Sequence, residues 1–470
     1  MAEEDQIYKS LTDIVGEDFV SNREEERYIY SRDPGTSKPR RVDYVVMPKT
    51  VEEVQKIVIL ANKEKIPITP MGGGFSLNGL AIPVHGGIVL DMKRMDEIIE
   101  VNKNSRYVLL EAGVSQGALV SYLKKNYPDL HHSLPEAPPM ATVVGNLLIR
   151  GHGTLAIYGD NSNMLNGLEV VLPTGEICKV GSSSVSPYWF GRGPLPDLAG
   201  LFIGWFGTTG IITKASLRLY PRPKKRDVVA FATEKPDLIP ELVYKITQTR
   251  MADGAGMLEQ EKPEYLKGYQ WVGALISGDS EEEMGYKRRV LSKIPETCGD
   301  DKNKVTLIPL GIEMMSLEGM EDFKKRFLDE PPFAAVAADF RKGGGFQYCG
   351  VMMPIEKVPE AWRRGIEIAH KHEMLFQCAN QVMSSSHEVM FGFNYSFNRA
   401  DEEDAERARE AMEETNKMAL ELGGIPWKAE LAAQKLIMEK MDPNTFELIK
   451  KIKKLLDPNG IMNPGNWEAD

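Results

Sequence analysis

Three consecutive glycines, Gly72, Gly73 and Gly74, are the part of this chain best suited to hold an anion. They follow an extended stretch, Ile66-Pro67-Ile68-Thr69-Pro70, and lead through Met71 and the triplet into Phe75, Ser76 and Leu77. Without side chains, successive backbone N–H groups can approach a ligand closely and point at it together, which makes a cradle suited to a pyrophosphate. A flexible turn has the same composition, so the triplet alone leaves both readings open. It is not a Rossmann fingerprint, because that needs a helix directly after the glycines. Here a loop and then a strand, Gly87 to Asp91, follow.

A second cluster runs from Pro138-Pro139-Met140-Ala141-Thr142-Val143-Val144-Gly145-Asn146 into Arg150-Gly151-His152-Gly153 and Tyr158-Gly159-Asp160. Glycines, a proline pair and polar tips stand close together with little ordinary periodicity. Such backbone fits a segment wrapped against a flat ligand; a structural loop is the alternative. A third segment, Gly207 to Ala215, turns at glycine and enters a strand through Ile211 and Ile212.

The elements that must position these loops are legible at intervals. Val42 to Pro48 is a short apolar run stopped by proline, so a strand. Thr50 and Glu53 make a capping box for a helix with apolar positions Val54, Ile57, Val58 and Ala61. Strands are expected at Tyr107–Glu111 and Leu168–Leu172, with a helix from about Val114 to Asn126. Residues 1–40 read as a helical N-terminal segment, and the α+β pattern from 41 continues to about Pro223. Residues 224–410 mix strands with charged helices, a long helix with a solvated face runs from Asp401, and 441–470 hold a final helix that stops at Asp457-Pro458-Asn459-Gly460.

At 470 residues, with 42% hydrophobic and 27% charged side chains, the chain has room for two or three units and a large core. A net charge of −11 argues against a nucleic-acid partner bound through phosphates. Cys178, Cys298, Cys349 and Cys378 form no C-x-x-C pair, so buried free thiols are expected rather than a disulfide framework, zinc site or iron–sulfur cluster. His131 and His132 read as a surface loop, and His370 and His372, at i,i+2 on a helix, point to different faces and make no joint metal site. The acidic, polar N-terminus lacks the marks of a secretory signal and no apolar run would span a bilayer, so a soluble cytoplasmic protein is expected.

Taken in order, GGGFS, IVLDM, PPMATVVGN, RGHGTLAIYGDN, GLEVVLPTGE and GLFIGWFGTTGIITKASLRLYPRP resemble the FAD-binding domain of the vanillyl-alcohol oxidase and p-cresol methylhydroxylase (PCMH) family, which is related to glycolate oxidase FAD subunits. FNRADEED, ALELGGIPWKAE and LLDPNGIMNPGNW resemble the tail of that family, which returns to the flavin. The resemblance implies an α+β fold: a two-subdomain PCMH-type FAD-binding domain over 41–223 and an α+β substrate-binding cap over 224–440. It implies that Pro70 and Gly72 to Leu77 bind the pyrophosphate, that Pro139, Thr142, Gly145, Asn146, Gly151, Gly153, Tyr158 and Gly159 line the flavin, and that Ile211 and Ile212 approach the adenine side. Asp160 resembles the family's aspartate near flavin N5, where a carboxylate accepts a proton or stabilises positive charge; a cap on a turn is its alternative. His152, inside the same segment, and His387 are candidate substrate histidines.

The chain departs from the family at several places. Phe75 stands where many members carry a flavin-linking histidine, and Phe391 aligns with the linking histidine of the cap, so the FAD is expected to be non-covalent. His387 and Tyr395 lie near Phe391 in sequence but out of register. The phenolate clamp of two tyrosines and an arginine reads Leu77, Trp427 and Lys428. Trp427 can stack on a ring, and Lys428 keeps a positive charge, as a point rather than a planar fork. A surface lysine is the alternative for Lys428. The resemblance points to an FAD-dependent dehydrogenase of an alcohol, 2-hydroxy acid or benzylic substrate. With no haem motif or cysteine cluster, electrons would leave to a partner such as an iron–sulfur subunit or electron-transfer flavoprotein, or to a soluble acceptor. A non-redox transferase of the alkylglycerone-phosphate-synthase type and an electron-relay subunit are the competing readings. The resemblance is compatible with a homodimer.

Overall fold

A computed structural model describes residues 5–468 except 136, 154, 261–269, 300–304, 309–342 and 384–387. Tyr44–Val46, Ile88–Asp91 and Ile68–Met71 form a parallel sheet with the short antiparallel strand Val20–Ser21 on its edge. The parallel strands are buried almost throughout rather than alternately, because both faces are covered. Val46, Ile68, Ile88 and Leu90 are fully buried, against helices that include Gln6–Val15 and Val51–Glu64. Thr50 caps the latter helix by accepting from Glu53 N–H, while the Glu53 carboxylate reaches the Lys49 N–H.

The helix Val51–Glu64 is the crossover between two of the parallel strands, and Ile88–Asp91 inserts between them. The glycine loop therefore leaves the carboxyl end of Ile68–Met71, the edge where open parallel sheets bind ligands. A second, antiparallel sheet has the order Ile98–Asn102, Tyr107–Glu111, Ile211–Arg218, Leu165–Val171, Ile177–Gly181.

Two sequence expectations are corrected here. The stretch around Pro138–Asn146 is not irregular throughout: Val143–Leu148 is a helix, capped by Thr142, whose hydroxyl accepts from Gly145 N–H at 3.3 Å. A helix of under two turns is too short to print a period. His131 and His132 are buried, not on a surface loop. Leu130–His131 pairs with Tyr220–Pro221, and His132 Nε2 lies 2.8 Å from Gln116 Oε1.

The second half of the chain builds one antiparallel sheet in the order Thr306–Ile308, Lys225–Thr233, Gln270–Gly278, Gly254–Gln260, Gln377–Met383, Glu388–Asn398, Gly344–Met353, Ile425–Trp427. Phe231, Val351, Phe391 and Phe393 share its core with buried residues of the helices Ile239–Gln248, Val358–Lys371 and Glu402–Glu421. The long helix from Asp401 thus has an apolar side as well as its solvated one. Cys298, Cys349 and Cys378 are buried, Cys178 is partly so, and all four are free thiols. After the helix Pro443–Leu456 the tail re-enters the first core. Ile68 N–H donates to Ile461 O and Asn463 N–H to Ile68 O, so Met462 makes a single parallel bridge to Ile68 on the free edge of the parallel sheet.

Candidate active site

A cavity of about 180 Å³, open to solvent on one side, lies between the two sheets of the first half. Three segments wall it: Pro70–Ser76, Ala141–Ile149 and Phe206–Ile212. Glycines let them meet. A Cβ on Gly72 would lie 2.4 Å from Thr142 Oγ1, one on Gly73 2.7 Å from Met140 O, and one on Gly207 2.6 Å from Pro70 Cγ. Among the described residues, none of the backbone N–H groups from Gly72 to Leu77 donates a hydrogen bond within the chain. A run of unsatisfied donors at the end of a strand calls for an acceptor from a ligand or water.

Of the residues singled out by sequence, Pro70, Gly72, Gly73, Gly74, Phe75, Ser76, Thr142, Gly145, Asn146, Ile211 and Ile212 line this cavity. Leu77, Pro139, Gly151, Gly153, Tyr158 and Gly159 lie outside its lining. Pro139 O accepts from Gly117 N–H, Gly151 closes a turn with Asn146 and Asn161, and Gly153 is crowded by Ser133. Tyr158 stacks on Tyr220 with ring centroids 3.6 Å apart, and Gly159 has φ of +81° beside Asn163. Leu77, at φ of +67°, turns the loop out toward Gly35.

The sequence signal for Asn463 was only the tail motif, yet this residue ties the cavity together. Its carboxamide accepts from Thr69 Oγ1 at 3.1 Å and donates to Leu80 O and Phe206 O, at 3.1 and 2.7 Å. Trp467 stacks on Phe206 with centroids 5.6 Å apart. Leu77, Arg150, Phe206, Lys428, Asn463 and Trp467 all hold left-handed backbone, and each lines the cavity or adjoins a residue that does. Such conformations cost of order 1–3 kcal/mol each and cluster where a site over-determines its backbone.

At the cap side, four side chains pack in series. His152 meets Trp427 edge-on at 5.8 Å, and Trp427 meets Tyr348 edge-on at 5.8 Å. The Lys428 ammonium sits 4.4 Å over Trp427 and 5.4 Å over Tyr348. Two bonds tie this cluster to the cavity wall: Trp427 Nε1 donates to Ile149 O at 2.5 Å and Lys428 Nζ to Ser76 O at 3.0 Å. Glycines again make the room. A Cβ on Gly350 would lie 2.7 Å from Tyr348 and 2.8 Å from Trp427, and one on Gly392 2.3 Å from the Tyr348 hydroxyl.

Lys428 is 7% exposed, which corrects its reading as a surface lysine. Burial pulls its ammonium down to about 8, against the pull of Asp33, which favours the charged form. Asp160 is buried and committed: Oδ1 accepts from the Ser162 N–H and hydroxyl, and Oδ2 faces Arg150 at 3.6 Å. That is the turn cap. Phe391 is fully buried in the cap core, and His387 lies outside the described residues. Among the described residues no group of His, Cys, Asp or Glu is arranged to hold a metal, and no helix is long and apolar enough to cross a membrane.

The decisive comparison is with two family models in tandem: residues 42–181 match an FAD binding domain, and residues 333–467 match the C-terminal domain of FAD linked oxidases. The chain belongs to the FAD-linked oxidoreductases. It is 27% identical to a D-lactate dehydrogenase of Archaeoglobus fulgidus over 94% of this chain and 95% of that protein. It is 34% identical to the flavoprotein subunit of a Pseudomonas putida hydroxylating 4-cresol dehydrogenase over 44% of this chain and 40% of that one. The substrate-bound crystal structure of p-cresol methylhydroxylase superposes with a TM-score of 0.84 at 21% identity, covering 99% of this chain and 96% of that one, so the fold is the α+β PCMH type. The cofactor of this FAD-linked oxidoreductase is FAD, and the protein is an FAD-dependent dehydrogenase. The cavity suits the group: its glycine walls admit close backbone approach, and its loop N–H groups need an acceptor.

Proposed function

We propose that this dehydrogenase oxidises a small hydroxylated substrate carrying an anionic group, a 2-hydroxy acid in preference to a neutral alcohol. The observation that carries the reading is the buried Lys428 ammonium at the junction of cap and cavity. A desolvated cation is a strong attractor for a carboxylate or phenolate. When bound, FAD supplies the acceptor for the hydride that leaves the substrate carbon. The N–H groups of Gly72 to Leu77 would hold its pyrophosphate, with Thr142, Gly145 and Asn146 along its length and Ile211 and Ile212 at the adenine side. The flavin would be held without a covalent bond, since phenylalanines occupy both expected linkage positions. Yellow colour that stays with acid-precipitated protein would sink that part.

His152 is the better base than Asp160, because the Asp160 carboxylate is already occupied by Ser162 and Arg150. A proton leaving the substrate hydroxyl would pass to the imidazole while Trp427 and Tyr348 exclude water. Removing a general base costs ~10²–10⁴-fold, so His152→Ala should lose turnover by that order while keeping its flavin. The 4-cresol relative is named a subunit, which supports electron transfer to a partner protein. A cytoplasmic, dimeric enzyme remains part of the proposal. The test is anaerobic photometry of the purified holoprotein. Bleaching by D-lactate or a related 2-hydroxy acid is the expected result. Bleaching by 4-alkylphenols or neutral benzylic alcohols alone would replace the substrate class, and no bleaching by any of these would overturn the dehydrogenase assignment to small alcohols.

A further inference from the structure

Asp33 lies before both matched family regions, in the turn after the helix Glu24–Tyr30, yet it is buried against the glycine loop. Its carboxylate accepts from three donors: Gly35 N–H at 2.9 Å, Gly79 N–H at 2.9 Å and the Ser76 hydroxyl at 3.4 Å. A group surrounded by donors suits the ionised carboxylate. Ser76 is gripped on two sides, since its carbonyl accepts from Lys428 Nζ at 3.0 Å. Opposite charges thus stand on either side of one residue of the loop.

We propose that Asp33 is a positioning residue that keeps the Lys428 ammonium charged and seated on Ser76, so that the cap junction presents a fixed cation to an anionic substrate group. The inference rests on the reading of Lys428 as the anion site. An isolated buried ammonium sheds its proton readily, and a buried carboxylate is the counter-charge that opposes this. The titratable and charged groups that face Lys428 are Asp33 across Ser76 and Tyr348 from the strand Gly344–Met353, with Arg40 beyond Asp33. Burial pushes the Asp33 carboxyl up, and the Gly79 and Gly35 N–H groups, Lys428 and Ser76 oppose that shift. Arg40 also donates to Gly79 O and Ile82 O, so the same carboxylate sits in a loop braced from outside.

The test uses oxidised holoprotein titrated with oxalate, a carboxylate probe that is not turned over, read from the flavin absorbance as a function of pH. Wild type should bind with an affinity that falls above about pH 8, as Lys428 loses its proton. Asp33→Asn keeps the shape and removes the charge. It should bind oxalate at least tenfold more weakly at pH 7, and its midpoint should move to lower pH. Asp33→Glu should keep a midpoint near that of wild type. Lys428→Met should abolish the pH dependence. Oxalate binding by Lys428→Met equal to wild type would overturn the anion-site reading itself. Loss in Lys428→Met with an unchanged pH profile in Asp33→Asn would overturn only the role of Asp33. If Asp33→Asn takes up no flavin, Asp33→Glu decides: binding as weak as that of Lys428→Met overturns the proposal, because the charge is retained.

Discussion

Lys428 also sets a stability signature that does not depend on catalysis. Its folded value, about 8, lies below the ~10.4 of an unfolded lysine. Below pH 8 both states hold the proton and the penalty for burying the charge is present in full. Between pH 8 and about 10.4 the folded form releases the proton while the unfolded form keeps it, so this group makes folding more favourable as pH rises. The difference in Tm between wild type and Lys428→Met should therefore change across that window and stay flat below it; a flat difference throughout would contradict the buried, depressed ammonium. Gly73 gives a second residue-scale prediction. A methyl there would meet Met140 O at 2.7 Å, a backbone atom that cannot swing aside. Gly73→Ala should weaken FAD binding by at least tenfold, about 1.4 kcal/mol, measured by flavin release on dilution; unchanged retention would show that the two walls separate freely. The glycines were legible in the sequence because only a missing side chain allows such approach. The burial of Lys428 was not, because a lysine between tryptophan and alanine carries no mark of the strand edge and loop that enclose it.

The strand-like tail Ile461–Asn463 is the element on which the cavity depends. Asn463 bonds three segments distant in sequence, at Thr69, Leu80 and Phe206. Lys453, on the preceding helix, donates to Thr208 O and Met462 O and pairs with the buried Asp457. Asn463→Ala would leave buried acceptors without donors, at about 1–3 kcal/mol for each group orphaned. Thermal unfolding of the apoprotein should fall measurably, and FAD should be lost more readily, because Phe206 is released from the wall. A variant with wild-type Tm would reduce the tail to a passive cover. Sequence reading anticipated a tail that returns to the flavin, from the motif Asp457-Pro458-Asn459-Gly460-Ile461-Met462-Asn463-Pro464-Gly465. It did not anticipate the bridge to Ile68, since so short a run has no alternation to read. The helix Val143–Leu148 escaped for the same reason.

At the scale of the whole molecule, the two halves meet through residues that lie far apart in sequence. Gln347, on the cap sheet, accepts at Oε1 from Thr36 N–H and its hydroxyl at 3.0 Å each, and donates at Nε2 to Asn78 Oδ1 at 2.8 Å. Asn78 in turn donates to Lys428 O, and Arg399 and Arg409 of the cap donate to the carbonyls of Asp33 and Thr36. The segment around Asp33–Thr36 is thus a pin between the glycine loop and the cap sheet, and Gln347, fully buried, is its central bolt. No local pattern reveals such a residue, because its partners are set by the packing of separate cores. Replacing Gln347 by Leu keeps the volume but leaves the Thr36 donors and the Asn78 acceptor unpaired in a buried place, the most damaging way to break a hydrogen-bond network. Hydrogen exchange followed by mass spectrometry should show faster exchange in peptides covering 33–36 and 76–79 in Gln347→Leu, by tenfold or more. The cap core around Phe391 and Phe393 should keep its protection, because its packing does not involve this bolt. Oxalate affinity should fall with the loop, since Ser76 and Lys428 would no longer be held in one place. Equal exchange of the loop in both proteins would mean that the halves are held by their apolar contacts alone. Faster exchange throughout the cap would mean instead that Gln347 supports the core of that unit and not the junction.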